Sequence, residues 1–167
     1  MPLKPIENSY WVVPGIFLAG EYPRDKAEES SRLRIDAFIQ SGVTAFIDLT
    51  EENEGLLPYS HLLGSVSHQR FPIRDVSTPK SADLTTEILD AIDHHTLQGG
   101  TVYLHCWGGV GRTGVIVGCW LARHGYRGET ALHRLRDLWQ DCPKSGKRKS
   151  PETEQQEQYI VSWKEQP

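Results

Sequence analysis

The chain is poor in cysteine, in excess positive charge and in long apolar runs. Its three cysteines, at 106, 119 and 142 of 167 residues, are too few and too scattered for a disulfide framework. No C-x-x-C or H-x3-H pair occurs, so a zinc site is not expected. No apolar run approaches the roughly 18 residues of a membrane span. Met1–Tyr10 carries Pro2, Lys4, Pro5 and Glu7 where a signal peptide would place an apolar stretch. A cytoplasmic setting with reduced thiols is therefore expected. Eighteen Lys+Arg against 22 Asp+Glu leave a formal charge of −4, which argues against nucleic acid as the main partner. On that coarse measure an anionic substrate is disfavoured as well.

What is present suits one soluble domain over residues 1–167: 38% hydrophobic and 24% charged residues, at a length that supports a core without staples. A monomer is the expected state. Short apolar runs at Trp11–Val13 and Ile16–Ala19 flank Pro14-Gly15 and read as two strands around a turn. Further strands are predicted at Thr44–Leu49, Val66–Ile73 and Thr101–His105. Helical spacing predicts helices over Glu28–Ser41, Asp83–Leu97, Thr113–His124 and Glu129–Gln140. A last helix is predicted over Glu152–Lys164, with Ser150 as its cap and Pro151 at its first position. Glu51–Ser65 has no clear pattern. Strands alternate with helices, which predicts an α/β fold with a central, largely parallel sheet of about five strands flanked by helices.

The chemistry concentrates in His105-Cys106-Trp107-Gly108-Gly109-Val110-Gly111-Arg112-Thr113-Gly114, between a predicted strand and a predicted helix. Backbone N–H groups at a helix start have no intrahelical partners. Gly108, Gly109 and Gly111 allow those groups to converge into an anion-binding nest. The helix dipole adds positive potential there, and Arg112 adds a planar fork of donors. Such a nest stabilises a thiolate as it does any anion, which makes Cys106 a nucleophile beside a phosphate cradle. Arg112 and the amides would neutralise the transferring oxygens without a metal. The bland alternative, a buried Cys before a glycine turn, does not explain the spacing. Arg six residues after a given Cys with Ser/Thr next occurs by chance well under about 1% of the time.

The segment resembles the His-Cys-x5-Arg-Ser/Thr signature of the cysteine-based protein tyrosine phosphatase superfamily, in particular its small dual-specificity branch. The resemblance implies phosphate-monoester hydrolysis through a phosphocysteine, with no cofactor and no metal. It makes Cys106 the nucleophile and Arg112 the phosphate clamp. Thr113 would hydrogen-bond the thiolate, His105 would orient the loop, and Trp107 to Gly111 would contact substrate. Transfer to a thiolate also needs a proton donor on a mobile loop. Asp75, in Phe71–Pro79 and 31 residues before the thiol, is the best candidate, ahead of Asp48, at the end of a strand, and Asp83, which suits a helix cap. Ser150–Gln156 resembles the family's glutamine-bearing loop, so Gln156 would position water. Glu152 departs from that pattern by standing where larger tyrosine phosphatases carry another Gln.

Two features stay open at this level. A carboxylate of Glu51-Glu52 would hold Arg112, or the pair is simply solvated. The basic run Lys144–Lys149 would border the pocket, or is a solvated loop. His94-His95 and Cys119 read as helix residues without a chemical role, and Cys142 has none assigned. The uncharged interior of the signature loop lowers the expectation of a multiply phosphorylated lipid. The short chain predicts a shallow pocket open to phosphotyrosine and to phosphoserine or phosphothreonine, on a protein or a small ester. The alternatives are a phosphate-binding pseudophosphatase, a phosphoinositide or RNA 5′-phosphatase of the same superfamily, and a thiolate sulfurtransferase or arsenate reductase.

Overall fold

A computed structural model describes residues 1–165. Five strands, β1 (Ser9–Val13), β2 (Phe17–Gly20), β3 (Val43–Asp48), β4 (Ser67–Arg70) and β5 (Thr101–His105), form one sheet in the order β1-β2-β5-β3-β4. Only β1 runs antiparallel, to β2; β2, β5, β3 and β4 are parallel. The helices are α1 (Glu28–Gln40), α2 (Ala82–Leu97), α3 (Arg112–Arg123), α4 (Glu129–Trp139) and α5 (Glu154–Ser162). The architecture is the α/β arrangement that the alternation of elements predicts.

The β1–β2 turn follows from its residues. Pro14 presets φ for the second turn position, and Gly15 at the third takes φ 75°. The Ile16 N–H then closes the turn on the Val13 carbonyl at 3.0 Å. Period-two alternation sorts side chains between the sheet faces. Phe17, Ala19, Ala45, Ile47, Val102 and Leu104 join a core under α2–α5. Leu18, Phe46 and Tyr103 point the other way, into a core with Ile35 and Phe38 of α1. Phe38 lies 4.4 Å from Tyr103 and 5.3 Å from Phe46 between ring centroids. Burying each such ring stabilises the fold by roughly 1.5–3 kcal/mol.

Helix α3 is buried almost all round, as its continuous apolar composition dictates. Its contact with α5 depends on Gly118, where a side-chain carbon would lie 2.5 Å from Ile160 Cδ1.

Most predicted boundaries shift by a residue or two, and three of the differences bear on how the site is built. β4 covers only Ser67–Arg70, although the Phe71 and Ile73 N–H groups still donate to the Asp48 and Leu49 carbonyls at 2.8 and 3.0 Å, and Pro72 between them turns its missing N–H to the open edge of the sheet. Helix α2 is capped by Ser81, whose Oγ accepts from the Leu84 N–H at 3.1 Å, while Asp83 lies in its first turn. Helix α5 starts at Glu154 rather than Glu152. Thr153 and Gln156 form a capping box that satisfies the first free N–H groups, so the cap is Thr153 and not Ser150. The Ser150 hydroxyl instead donates to the Val110 carbonyl at 2.6 Å.

The four parallel strands end at Gly20, His105, Asp48 and Arg70. The loops that follow them gather beyond one edge of the sheet, where open parallel sheets place their ligand crevices.

Candidate active site

A cleft of about 390 Å³ opens at that edge. It is lined by Cys106, Trp107, Gly108, Val110, Gly111 and Arg112 of the signature loop. Glu21, Asp75, Val76, Lys144, Arg148 and Glu152 complete the wall. The loop joins β5 directly to α3, so Cys106 lies beside the helix N-terminus and its dipole. The Gly109 N–H donates to Cys106 Sγ at 3.2 Å. Gly109 holds φ 75°, and a side-chain carbon there would collide with the backbone of Gly20 and Glu21. The loop is thereby wedged against the chain that follows β2.

Arg112 is 1% exposed and its guanidinium is held on several sides. Nη1 and Nη2 donate to the two carboxylate oxygens of Glu54 at 2.8 and 3.0 Å. Nη1 also donates to the Ile73 carbonyl at 3.0 Å. Asp75 Oδ1 stands 3.2 Å from Nη2. Burial opposes the charge on both partners, but the hydrogen bonds between them outweigh it: Glu54 is held below its ordinary value and Arg112 above its own. Arg112 Nε and Thr113 Oγ1 are buried polar atoms without a hydrogen-bond partner among the described residues. Thr113 thus makes no bond to the thiol.

Beneath the loop lies a buried polar chain. His105 Nδ1 is 3.0 Å from the Cys106 carbonyl. A carbonyl only accepts, so Nδ1 carries the proton and Nε2 accepts from the Tyr59 hydroxyl at 2.5 Å. Burial pushes the His105 ring below its ordinary value, against the pull of Asp48 and the Cys106 carbonyl. Burial likewise keeps the Tyr59 hydroxyl protonated, well above its ordinary value. Asp48, the rejected candidate acid, sits 4.0 Å from His105 Nδ1. Burial opposes its ionisation, but His105, a His68 contact at 3.2 Å and two Thr50 donors outweigh it. They hold its carboxyl well below the carboxylate range.

The structure therefore brings Cys106, Arg112 and Asp75 to one cleft and buries His105 below it. Trp107 is 57% exposed at the boundary with a second groove of about 540 Å³ that includes Leu56 and Leu57. Gln156 is buried, and its amide oxygen is fully committed. Its Oε1 accepts from the N–H groups of Glu152 and Thr153, both at 3.1 Å, and its Nε2 donates to the Ser77 carbonyl at 3.0 Å. It ties α5 to the loop of Asp75, and its Nε2 lies behind Gly111, where an added side-chain carbon would meet it at 2.9 Å. Of the open features, the basic run does border the cleft. Lys144 pairs with Glu21 and Arg148 with Glu152, each at 2.9 Å. The carboxylate on Arg112 belongs to Glu54, not to Glu51 or Glu52. Glu52 is exposed, 3.8 Å from Arg70. Glu54 and Tyr59 were not candidates from sequence. The acidic run was the one signal for Glu54, and Tyr59 left none.

Residues 6–160 match the family model PTP-SAK, described as Swiss Army Knife protein, DSP-PTPase phosphatase domain. The chain belongs to this DSP-PTPase family. Among its relatives, mouse dual specificity protein phosphatase CDC14B is 29% identical over 121 residues, 68% of the chain and 24% of that protein. Arabidopsis thaliana phosphatidylglycerophosphate phosphatase PTPMT2 is 35% identical over 85 residues, 50% of the chain and 37% of that protein. The matches span from about a quarter to just over a third of the length of these two curated relatives. The crystal structure of Tk-PTP in its active form superposes with a TM-score of 0.73 at 24% identity, over 92% of this chain and 93% of that one. That likeness establishes the DSP-PTPase fold. No helix among the described residues is long and apolar enough to cross a membrane.

Proposed function

We propose that this DSP-PTPase domain, taken as one unit over residues 1–167, hydrolyses phosphate monoesters through a phosphocysteine. Phosphotyrosine is the expected substrate, with phosphoserine and phosphothreonine admitted by an open cleft. The observation that carries the reading is the convergence of Cys106 Sγ, held by the Gly109 N–H, with Arg112 and Asp75 in one cleft.

In the first step Cys106 thiolate attacks phosphorus, the S–P bond forms and the ester O–P bond breaks. Asp75 gives its proton to the departing oxygen. The loop N–H groups and Arg112, including its buried Nε donor, bind the three equatorial oxygens. In the second step water attacks phosphorus, the S–P electron pair returns to sulfur, and Asp75 recovers a proton from the water. The unpartnered Thr113 hydroxyl is the donor to the departing thiolate. His105 and Tyr59 fix the carbonyl of Cys106, and Gln156 supports the acid loop from behind.

The net charge of −4 does not oppose this, because chemistry responds to the local field. That field also limits the substrate. Lys144 and Arg148 are each paired with a carboxylate, and the interior of the signature loop is uncharged, so one phosphate is favoured over several.

Release of phosphate from 4-nitrophenyl phosphate and from phosphotyrosine and phosphothreonine peptides tests the reading. Turnover is expected from the wild type, none from Cys106→Ser, and a loss of about 10²–10⁴-fold in Asp75→Asn, the range of a general acid. Undiminished turnover by Cys106→Ser would refute it.

A further inference from the structure

We propose that Lys144 is a positioning residue for the thiol: it sets which way the peptide unit between Gly108 and Gly109 faces. The inference rests on the phosphatase reading above. A peptide unit is planar and trans, so its C=O and N–H point to opposite sides. Whatever draws a loop carbonyl outward therefore turns the next N–H inward, toward Cys106 and an incoming phosphate. The signature loop is held in this way at several units. The Cys106 carbonyl accepts from His105 Nδ1 at 3.0 Å, the Trp107 carbonyl from the Tyr22 N–H at 2.8 Å, and the Val110 carbonyl from the Ser150 hydroxyl at 2.6 Å. The Gly108 carbonyl accepts from Lys144 Nζ at 2.7 Å. At the other end of that same unit, the Gly109 N–H donates to Cys106 Sγ at 3.2 Å.

Lys144 differs from the other holders. Tyr22 offers a backbone group, Ser150 a hydroxyl and His105 a ring N–H, whereas Lys144 brings a full charge. It also holds the unit with the least steric preference. Turning a peptide unit changes ψ of the residue before it and φ of the residue after it. Both residues here are glycines, and Gly109, at φ 75°, takes either sign of φ at little cost. Backbone sterics thus leave the direction open. A turned unit would point the Gly108 carbonyl at the thiolate and phosphate, where a donor is needed. The Lys144 charge also polarises the unit, which strengthens its N–H as a donor to sulfur. Lys144 is fixed in turn by Glu21 Oε2 at 2.9 Å, in the chain against which Gly109 is wedged.

The test needs no turnover. Hydrogen exchange of the Gly109 amide is followed by NMR, without ligand, in wild type and in Lys144→Met, which keeps an unbranched stem and removes the charge. Exchange at Gly109 is expected to be about 10–100-fold faster in the Met variant, the worth of one hydrogen bond from a charged donor. Amides of β3 and β5 should keep their wild-type rates, which shows that the variant is folded. The kcat/KM on 4-nitrophenyl phosphate should fall by a similar factor. Lys144→Arg, which restores a charged donor, should recover most of both. Wild-type exchange at Gly109 in the Met variant would overturn the assignment even if the enzyme were slower, because Lys144 would then act on substrate directly. Equal acceleration in β3 and β5 would overturn it by making Lys144 a general structural residue. So would an unchanged kcat/KM, or an Arg variant as defective as the Met variant. Full turnover by Cys106→Ser would instead sink the phosphatase reading, while exchange at Gly109 would still decide what Lys144 does to the loop.

Discussion

Removing the Glu54 carboxylate should both destabilise the protein and misplace its phosphate clamp. Glu54→Ala takes away two charge-assisted hydrogen bonds, at 2.8 and 3.0 Å, from a guanidinium that is 1% exposed. The Glu54 side chain is itself only 12% exposed, so solvent screens the pair little. Breaking a buried ion pair by deleting one partner costs about 3–5 kcal/mol. Nη1 keeps the Ile73 carbonyl and Nη2 keeps Asp75, which places the cost near the lower end, about 3 kcal/mol. At this chain length each kcal/mol moves Tm by roughly 2–4 °C. Thermal unfolding should therefore shift down by roughly 6–12 °C. A clamp displaced by about 1 Å should lose about 10²-fold in kcat/KM on an aryl phosphate. Glu54→Gln, which keeps one acceptor oxygen, should fall between wild type and Ala on both measures. Glu54→Ala should cost much less stability in an Arg112→Ala background, because the charge it leaves unpaired is gone. A single variant with wild-type Tm and wild-type kcat/KM would refute the reasoning.

Two further outcomes follow from the buried groups. Folding holds His105 below its ordinary value of 6.5 and Asp48 below 3.8, so the unfolded chain binds more protons. Stability should fall as pH drops below about 6.5 through the His105 contribution, and again below about 3.8 as Asp48 is protonated; a urea midpoint that is flat or rises from pH 7 to 5 would contradict a neutral His105. Gly109→Ala places a side chain at φ 75° against the backbone of Gly20 and Glu21. It should cost about 1–3 kcal/mol in urea unfolding and lower kcat/KM at least about tenfold by shifting the N–H that holds Sγ, whereas unchanged values for both would show that the loop is not wedged there.

The fold and the phosphate loop were legible for a local reason. His105 to Gly114 is one continuous segment, so covalent spacing alone puts thiol, amides and guanidinium together. The position of Asp75 at the cleft was legible because the loop that carries it follows a parallel strand, at the end of the sheet where such loops gather. Glu54 and Tyr59 were not, because residues 51–65 have no periodicity. They form two short 3-10 turns: Glu52–Glu54, closed by a capping box between Glu51 and Glu54, and Ser60–Leu62. The start of α5 was misjudged between two capping signals, Ser150-Pro151 and Thr153-x-x-Gln156. The second wins because it satisfies two donors reciprocally, and it commits the Gln156 amide oxygen to the cap.

The rim of the cleft comes from different stretches of chain than its floor. Cys106, Arg112, His105 and Asp48 are anchored at strand ends and a helix start, each fastened to a buried partner. Lys144, Arg148, Glu152 and Glu21 meet as side-chain pairs on loops outside that framework. Substitutions at the rim cost little folding energy, while substitutions on the floor disturb several elements at once. Substrate choice and bond chemistry are thus mechanically separable at Arg148, so descendants of this chain could acquire new substrates by rewriting that side chain without reinventing the reaction.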